Sequence, residues 1–131
     1  MTRRVMIVQV RRNSDENINQ ELQWLGNSLG LFNLRDKDSS CFRIFIMLVK
    51  NARRGQGLSS DDISHHLELS RGTVVHHLSR LIDAGLIIHE KEGYLLRERT
   101  LEGVISHIQQ DLENVLKELS AVAKEIDTRL G

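Results

Sequence analysis

The sequence predicts a mainly α-helical fold with one small β-hairpin and a long C-terminal helix. Two short helical segments meet at a sharp turn near residue 70, and two extended runs flank the KEG of residues 91–93. The last third of the chain repeats apolar residues every seven positions. At 131 residues, the chain fits one domain with an appendage and is too short for two large domains.

The N-terminal residues are predicted to form a short strand or arm and then an amphipathic helix. Residues 1–12 contain the β-branched, apolar run RRVMIVQVRR, which ends at the turn-like NSDEN. No pairing strand lies nearby in the sequence, so the same strand of a second subunit is a candidate partner. The next segment has apolar side chains at helical spacing, namely Ile18, Leu22, Leu25 and Leu29.

The segment RDKDSSCFRIFIMLVKNARRGQG, residues 35–57, is predicted to be a helix. Its apolar middle would also suit a strand, but the cap signals at its ends lie too far apart for one. Apolar residues on nearly every side predict burial on both faces, which is a first indication of a dimer. The single cysteine, Cys41, excludes an intrachain disulfide and is interpreted as an inert buried thiol.

Residues 58–98 predict two helices and a hairpin in one compact unit. The first helix, in LSSDDISHHLEL, is capped by Ser59 or Ser60, and the second runs to about Ala84 with Gly85 at its C-cap. The hairpin follows in GLIIHEKEGYLLRE, with glycine at its turn. In the second helix, spacings of four and three place three side chains on a buried face: Val74, Leu78 and Leu81.

The C-terminal third is predicted to be a dimerisation helix that forms a coiled coil. Apolar residues recur at alternating spacings of four and three, a seven-residue repeat that a lone amphipathic helix does not keep. Helix packing on the chain's own domain, or in a larger helical bundle, is the alternative. The predicted seam comprises Leu101, Ile105, Ile108, Leu112, Val115, Leu119, Val122 and Ile126.

The stretch LSSDDISHHLELSRGTVVHHLSRLIDAGLIIHEKEGYLLRE resembles the winged helix-turn-helix of the ArsR-type transcriptional regulators, and more broadly that of the MarR and TrmB groups. The resemblance implies a winged helix-turn-helix domain over residues 13–97, with residues 98–131 as the dimerisation helix. It also implies a homodimeric, sequence-specific DNA-binding regulator, whose recognition helix, about residues 70–84, enters the major groove of double-stranded DNA.

Side chains on the outer face of the second helix and on its flanks are the candidate DNA contacts. Arg71 suits a guanine, Val75 a thymine methyl group, and His76 a base acceptor or a phosphate. The remaining candidates are polar or cationic groups suited to phosphates or to close approach. The complete set is Ser70, Arg71, Gly72, Thr73, Val75, His76, Ser79, Arg80, Arg53, Arg54 and Arg97. The acidic wing tip HEKEGY is a poor fit to the minor groove.

Two histidine doublets, His65–His66 and His76–His77, raise the question of a metal site. Adjacent helical residues point about 100° apart, so neither doublet chelates one ion as an i, i+4 pair does. The paired cysteines and C-terminal histidine pair characteristic of ArsR-type metal sensors are both missing from this sequence. We therefore expect no metal and no cofactor, with His77 turned towards the core.

Formal net charge is zero, so any DNA binding depends on local patches. Residues 1–12 carry four arginines and no acid, whereas residues 98–131 carry four cations and seven acids. No signal peptide or membrane segment is expected, and the location expected is cytoplasmic. No pattern of catalytic residues predicts an enzyme. Two alternatives stay open: a winged-helix protein-interaction module, and a ligand-responsive repressor with a pocket between the FRIFIMLV helix and the dimer helices.

Overall fold

The computed structural model describes residues 18–30 and 39–131. Its helices are α1 (Ile18–Ser28), α2 (Ser40–Ala52), α3 (Ser60–Leu67), α4 (Arg71–Asp83) and α5 (Leu101–Leu130). The two strands, β1 (Ile87–Glu90) and β2 (Gly93–Leu96), lie between α4 and α5. The predicted fold class is confirmed: the chain is mostly helical, with a small antiparallel wing and a long C-terminal helix. The predicted strand in residues 1–12 lies outside the described residues.

Helix α2 is the centre of the core, and the FRIFIMLV segment is helical as predicted. It packs against α3, α4 and β2, and Ile44, Phe45 and Leu48 are almost inaccessible to solvent. Cys41 is fully buried in the same cluster, as the sequence indicates. Leu29, in the turn after α1, joins this core, and Leu25 of α1 packs against its edge.

A residue outside the predicted hairpin also pairs with the wing. Ile87 pairs with Leu96 and Glu90 with Gly93, which confirms the hairpin. In addition, Leu58 forms an antiparallel bridge with Tyr94 through two backbone hydrogen bonds of 2.8 and 3.0 Å. A Cβ atom on Gly93 would lie 2.7 Å from the Leu58 carbonyl oxygen, so this close approach requires glycine. The segment before α3 is therefore fixed to the wing.

Helix α5 begins on the domain and then leaves it. Thr100 caps its first turn by accepting a hydrogen bond from the Gly103 amide at 3.0 Å. Val104 and Ile108 are buried in the core, whereas every residue from Leu112 onwards is exposed. At about 1.5 Å per residue, a 30-residue helix is about 45 Å long. More than half of α5 is therefore exposed rather than packed on the described part of the chain.

Candidate nucleic-acid interface

The turn between α3 and α4 is held by side chains that satisfy the helix ends. Ser59 forms a capping box with Asp62 at the start of α3. At its end, Glu68 has a left-handed φ of 55°, and the Ser64 hydroxyl donates a hydrogen bond to the Leu69 carbonyl. Ser70 then caps α4, accepting from the Thr73 amide at 3.2 Å. The orientation of α4 is consequently set by local hydrogen bonds as well as by packing.

One side of α4 is part of the hydrophobic core. Val74, Leu78 and Leu81 are at most 1% exposed, as the spacing predicts. His77 lies on the same side and is 7% exposed, so the inward direction predicted for it is confirmed. Burial of these side chains against α2 and α3 fixes which face of α4 points outwards.

The opposite side of α4 is an outward surface with few large side chains. Arg71, Gly72, Val75, His76 and Ser79 are all exposed, and Val75 is 44% exposed although it is apolar. An added Cβ atom on Gly72 would meet no atom within 4 Å, so the protein's own packing does not require a glycine there. We call this set the α4 outer face.

Arg71 is held loosely by an acid on the neighbouring helix. Its Nε lies 3.5 Å from Oδ1 of Asp61, and both side chains are 73% exposed. Ion pairs this exposed contribute little to stability and are screened by salt. The guanidinium can therefore exchange Asp61 for another acceptor at small cost.

The hydroxyl groups at the start of α4 are already engaged with each other. Ser70 Oγ donates to Thr73 Oγ1 at 2.7 Å while accepting from the Thr73 amide. Ser70 therefore serves the helix cap, while the hydroxyl hydrogen of Thr73 remains able to reach a phosphate.

The cationic candidates outside the α4 outer face differ in exposure. Arg53 and Arg54 lie exposed in the turn after α2, and Arg80 is half-buried on α4. Arg99, exposed at the base of the wing, places its guanidinium beside Gly55 in the same turn. The structure thereby brings Arg99 close to the turn of Arg53 and Arg54, a grouping that sequence spacing does not reveal.

Arg97, a candidate DNA contact from the sequence, has its side chain buried on its own domain. Its side chain is 6% exposed, and its Nη1 lies 2.8 Å from Oδ2 of Asp111 and 3.4 Å from the Gly85 carbonyl oxygen. A guanidinium buried on its own domain and neutralised by a carboxylate is a poor phosphate ligand. Arg97 instead ties the end of α4 to α5.

Residues 49–89 match the family model described as bacterial regulatory protein, arsR family. The match begins within α2, spans α3 and α4, and ends in β1. The chain contains an ArsR-type winged helix-turn-helix domain. No curated protein sequence matches the chain. This match confirms the resemblance over residues 49–89 and supports a DNA-binding transcription regulator.

The wing of the ArsR-type domain has an acidic tip. Glu90, Lys91 and Glu92 are all exposed at the turn. Tyr94 is half-buried and stacks on His89, with ring centroids 4.0 Å apart and planes 5° apart, so it packs against the wing itself. With two carboxylates and one ammonium at its tip, the wing is electrostatically unsuited to a phosphate backbone.

The histidines of the ArsR-type domain do not form a cluster. His65, His66 and His76 are exposed, whereas His77 is buried, and the rings of the second doublet lie 5.3 Å apart. On α5, His107 Nδ1 lies 2.9 Å from Oε1 of Glu98. Within residues 18–30 and 39–131, no three His, Cys, Asp or Glu side chains form a group that could hold a metal ion.

None of the helices in the described ranges has both the length and the apolarity that a membrane span requires.

The predicted seam of α5 divides into a covered part and an exposed part. Ile108 is 3% exposed in the core of its own chain, and Leu101 packs at the core edge, so neither faces outwards as a free seam residue. Ile105 and Leu112 are each 39% exposed. The other seam residues are 50–60% exposed: Val115, Leu119, Val122 and Ile126.

Proposed function

We propose that the protein is a homodimeric, sequence-specific DNA-binding regulator in which α4 enters the major groove. The observation that carries the proposal is the α4 outer face, which combines a loosely held arginine, a glycine without an internal packing role and an exposed valine. Bases are read in the major groove by donors, acceptors and the thymine methyl group, and this face offers all three kinds of contact.

The N-terminal turns of α4 are the part suited to base contacts. Arg71 is the first residue of the helix, and its fork of donors matches O6 and N7 of guanine. Gly72 beside it leaves room for the groove wall to approach the helix backbone. Val75 and His76, one turn further, are assigned to a thymine methyl group and to a base acceptor or phosphate.

Backbone phosphates are assigned to cations on the flanks of α4 rather than to the wing. Arg53, Arg54 and Arg99 supply exposed positive charge beside the wing, and Arg80 supplies it on α4 itself. Arg97 is left out of this set because Asp111 neutralises it within the fold. Since few phosphates are neutralised, affinity is expected to be moderate and to fall as salt rises.

Dimerisation is assigned to the exposed part of α5. A soluble monomer rarely exposes a continuous apolar stripe. Here one runs from Leu112 to Ile126 along a part of α5 that no other described element covers. Its seven-residue repeat matches the geometry of a left-handed coiled coil with an identical helix. Two α4 helices would then read a palindromic site, with half-sites separated by about one helical turn or a multiple of it.

The test is a titration of a duplex selected by the protein from a random-sequence pool. Fluorescence anisotropy at two salt concentrations would compare the protein with Arg71→Ala and with Arg129→Ala. Arg129 is a matched control, because it is also an exposed arginine in an exposed ion pair, with Glu125 at 3.0 Å.

Loss of a bidentate base contact costs about 1–3 kcal/mol, or roughly 5- to 150-fold in Kd. We expect that loss for Arg71→Ala on the selected duplex, and no change for Arg129→Ala. If the pool yields no preferred duplex and binding is weak at both salt concentrations, the acidic wing and zero net charge favour a protein-interaction module instead.

A further inference from the structure

An apolar groove with a cationic rim lies on the ArsR-type domain, between the outer side of α2 and the end of α3. Its volume is about 300 Å³, at the lower end of the range for small-molecule sites. The floor is apolar and formed by Phe42, Ile46, Met47 and Leu67. From the sequence, a ligand pocket was an open alternative between α2 and the dimer helices, whereas the second wall of this groove is α3.

The rim of the groove is basic at both ends. Arg43 and Lys50 are seven residues apart on α2, which places them on one side of the helix about 10 Å apart along its axis. His66 of α3 also lines the groove. Among the described residues that line the groove there is no carboxylate, although the chain as a whole is neutral. The local field therefore favours an anion.

Arg43 has donors left for a ligand. Its Nη2 donates to the Leu67 carbonyl oxygen at 2.9 Å, which anchors the guanidinium at the α3 end of the groove. A guanidinium carries five N–H donors, and this bond uses one of them. A bound carboxylate could thus be paired with Arg43 without unfolding the end of α3.

We propose that this groove binds an organic monocarboxylate with an apolar chain or ring, such as a medium-chain fatty acid. The carboxylate pairs with Arg43 or Lys50 on the rim, and the apolar part covers the floor between them. A phosphate group alone would match the cationic rim but leave the apolar floor exposed to water. The rim and the floor together therefore favour an anion that also has an apolar part.

The groove lies next to the turn that orients α4. Leu67 ends α3, and Glu68 follows it in the left-handed conformation that starts the turn. A carboxylate bound to the remaining donors of Arg43 would therefore lie beside the base of the helix-turn-helix while the bond to the Leu67 carbonyl oxygen is kept. This site goes beyond the proposed function, and its ligand binding is measured without DNA.

The test is a ¹H–¹⁵N NMR titration of the full chain with octanoate, and with 1-octanol as the uncharged analogue. Octanoate should shift amides of residues 42–50 and 66–69 and saturate, and 1-octanol should bind at least about fivefold more weakly. Lys50→Glu, at an exposed position, should weaken octanoate binding by about fivefold. Lys117→Glu on exposed α5 is the matched control and should bind as the unaltered protein does.

Three results would overturn the proposal. The first is equal affinity for octanoate and 1-octanol, which tests the charge requirement without any variant. The second is a set of shifted amides outside residues 42–50 and 66–69, or no saturation by about 10 mM octanoate. The third is a folded Lys50→Glu protein that binds octanoate as tightly as Lys117→Glu does.

Discussion

Gly72 shows at the scale of one residue how stability and binding can be separated. Glycine near the start of an exposed helix costs stability, and no atom of the protein occupies the space beside it. We expect Gly72→Ala to stabilise the fold by about 0.5–1 kcal/mol, because alanine has the higher helix propensity. The same methyl group should lower affinity for the selected duplex by at least about fivefold, or 1 kcal/mol. Thermal unfolding and anisotropy measure the two effects.

Ser120→Ala on exposed α5 is the control for Gly72→Ala. It also raises helix propensity, and it should leave DNA affinity unchanged. A Gly72→Ala protein that binds the selected duplex as tightly as the unaltered protein would contradict the close approach assigned to this glycine.

Arg97 and Asp111 show a second residue-scale effect, in which a charge serves the fold rather than DNA. Because Arg97 is 6% exposed, removing its carboxylate partner leaves a nearly buried guanidinium uncompensated. Asp111→Ala should therefore lower the free energy of unfolding by about 1–2 kcal/mol, a value reduced for the partial exposure of Asp111. Urea denaturation gives the measurement. Equal stability of Asp111→Ala and Glu113→Ala, the exposed neighbour on α5, would show that the buried pair is not stabilising.

At the scale of elements, most of the helices and strands were predicted from local sequence patterns. The cap at Ser59, the positive φ of 77° at Gly85 and the alternation around KEG all depend on residues a few positions apart. They predicted α3, α4 and the wing, and the three-four spacing predicted the buried face of α4. Of these elements, the ArsR family model matches α3, α4 and most of β1.

Contacts between distant positions were not predictable from the same patterns. The bridge of Leu58 with Tyr94 joins residues 36 positions apart, and a single bridging residue leaves no strand pattern. The sequence suggested a phosphate contact for Arg97 because it does not show that Asp111, on another element, lies beside this side chain. Likewise, periodicity identified the apolar stripe of α5, but it did not show that Ile108 of this stripe is buried in the core of its own chain. A pattern shows which face is apolar, and tertiary structure decides what covers it.

The exposed part of α5 gives the prediction at this scale. Leu119 is 60% exposed, so the fold of one chain does not depend on its burial. Leu119→Glu should therefore keep the helix content and thermal stability of the domain while placing a charge inside the proposed seam. Light scattering should report the 15.0 kDa of one chain, and twice that mass for the unaltered protein.

The control for Leu119→Glu is Ser120→Glu, which adds the same charge one residue further along α5 and outside the seam. It should leave the mass at the dimer value. A Leu119→Glu protein that retains the dimer mass would show that the stripe is not the interface.

For the whole molecule, charge distribution matters more than net charge. The chain is neutral, yet Arg53, Arg54 and Arg99 supply exposed positive charge near the wing, whereas residues 98–131 carry four cations and seven acids. Acidic α5 helices would repel DNA, which favours a dimer that binds through its α4 faces with α5 directed away from the duplex. The segment of residues 1–12 carries four more arginines, and the strand predicted there remains a prediction.

The central claim is that two α4 helices read the major groove, and methylation interference on the selected duplex tests it most directly. Methyl groups at guanine N7 lie in the major groove, whereas those at adenine N3 lie in the minor groove. We predict two clusters of interfering guanines, centred about 10 base pairs or a multiple apart, with one guanine lost from each cluster for Arg71→Ala. Interference confined to adenines, or one unpaired cluster, would contradict it.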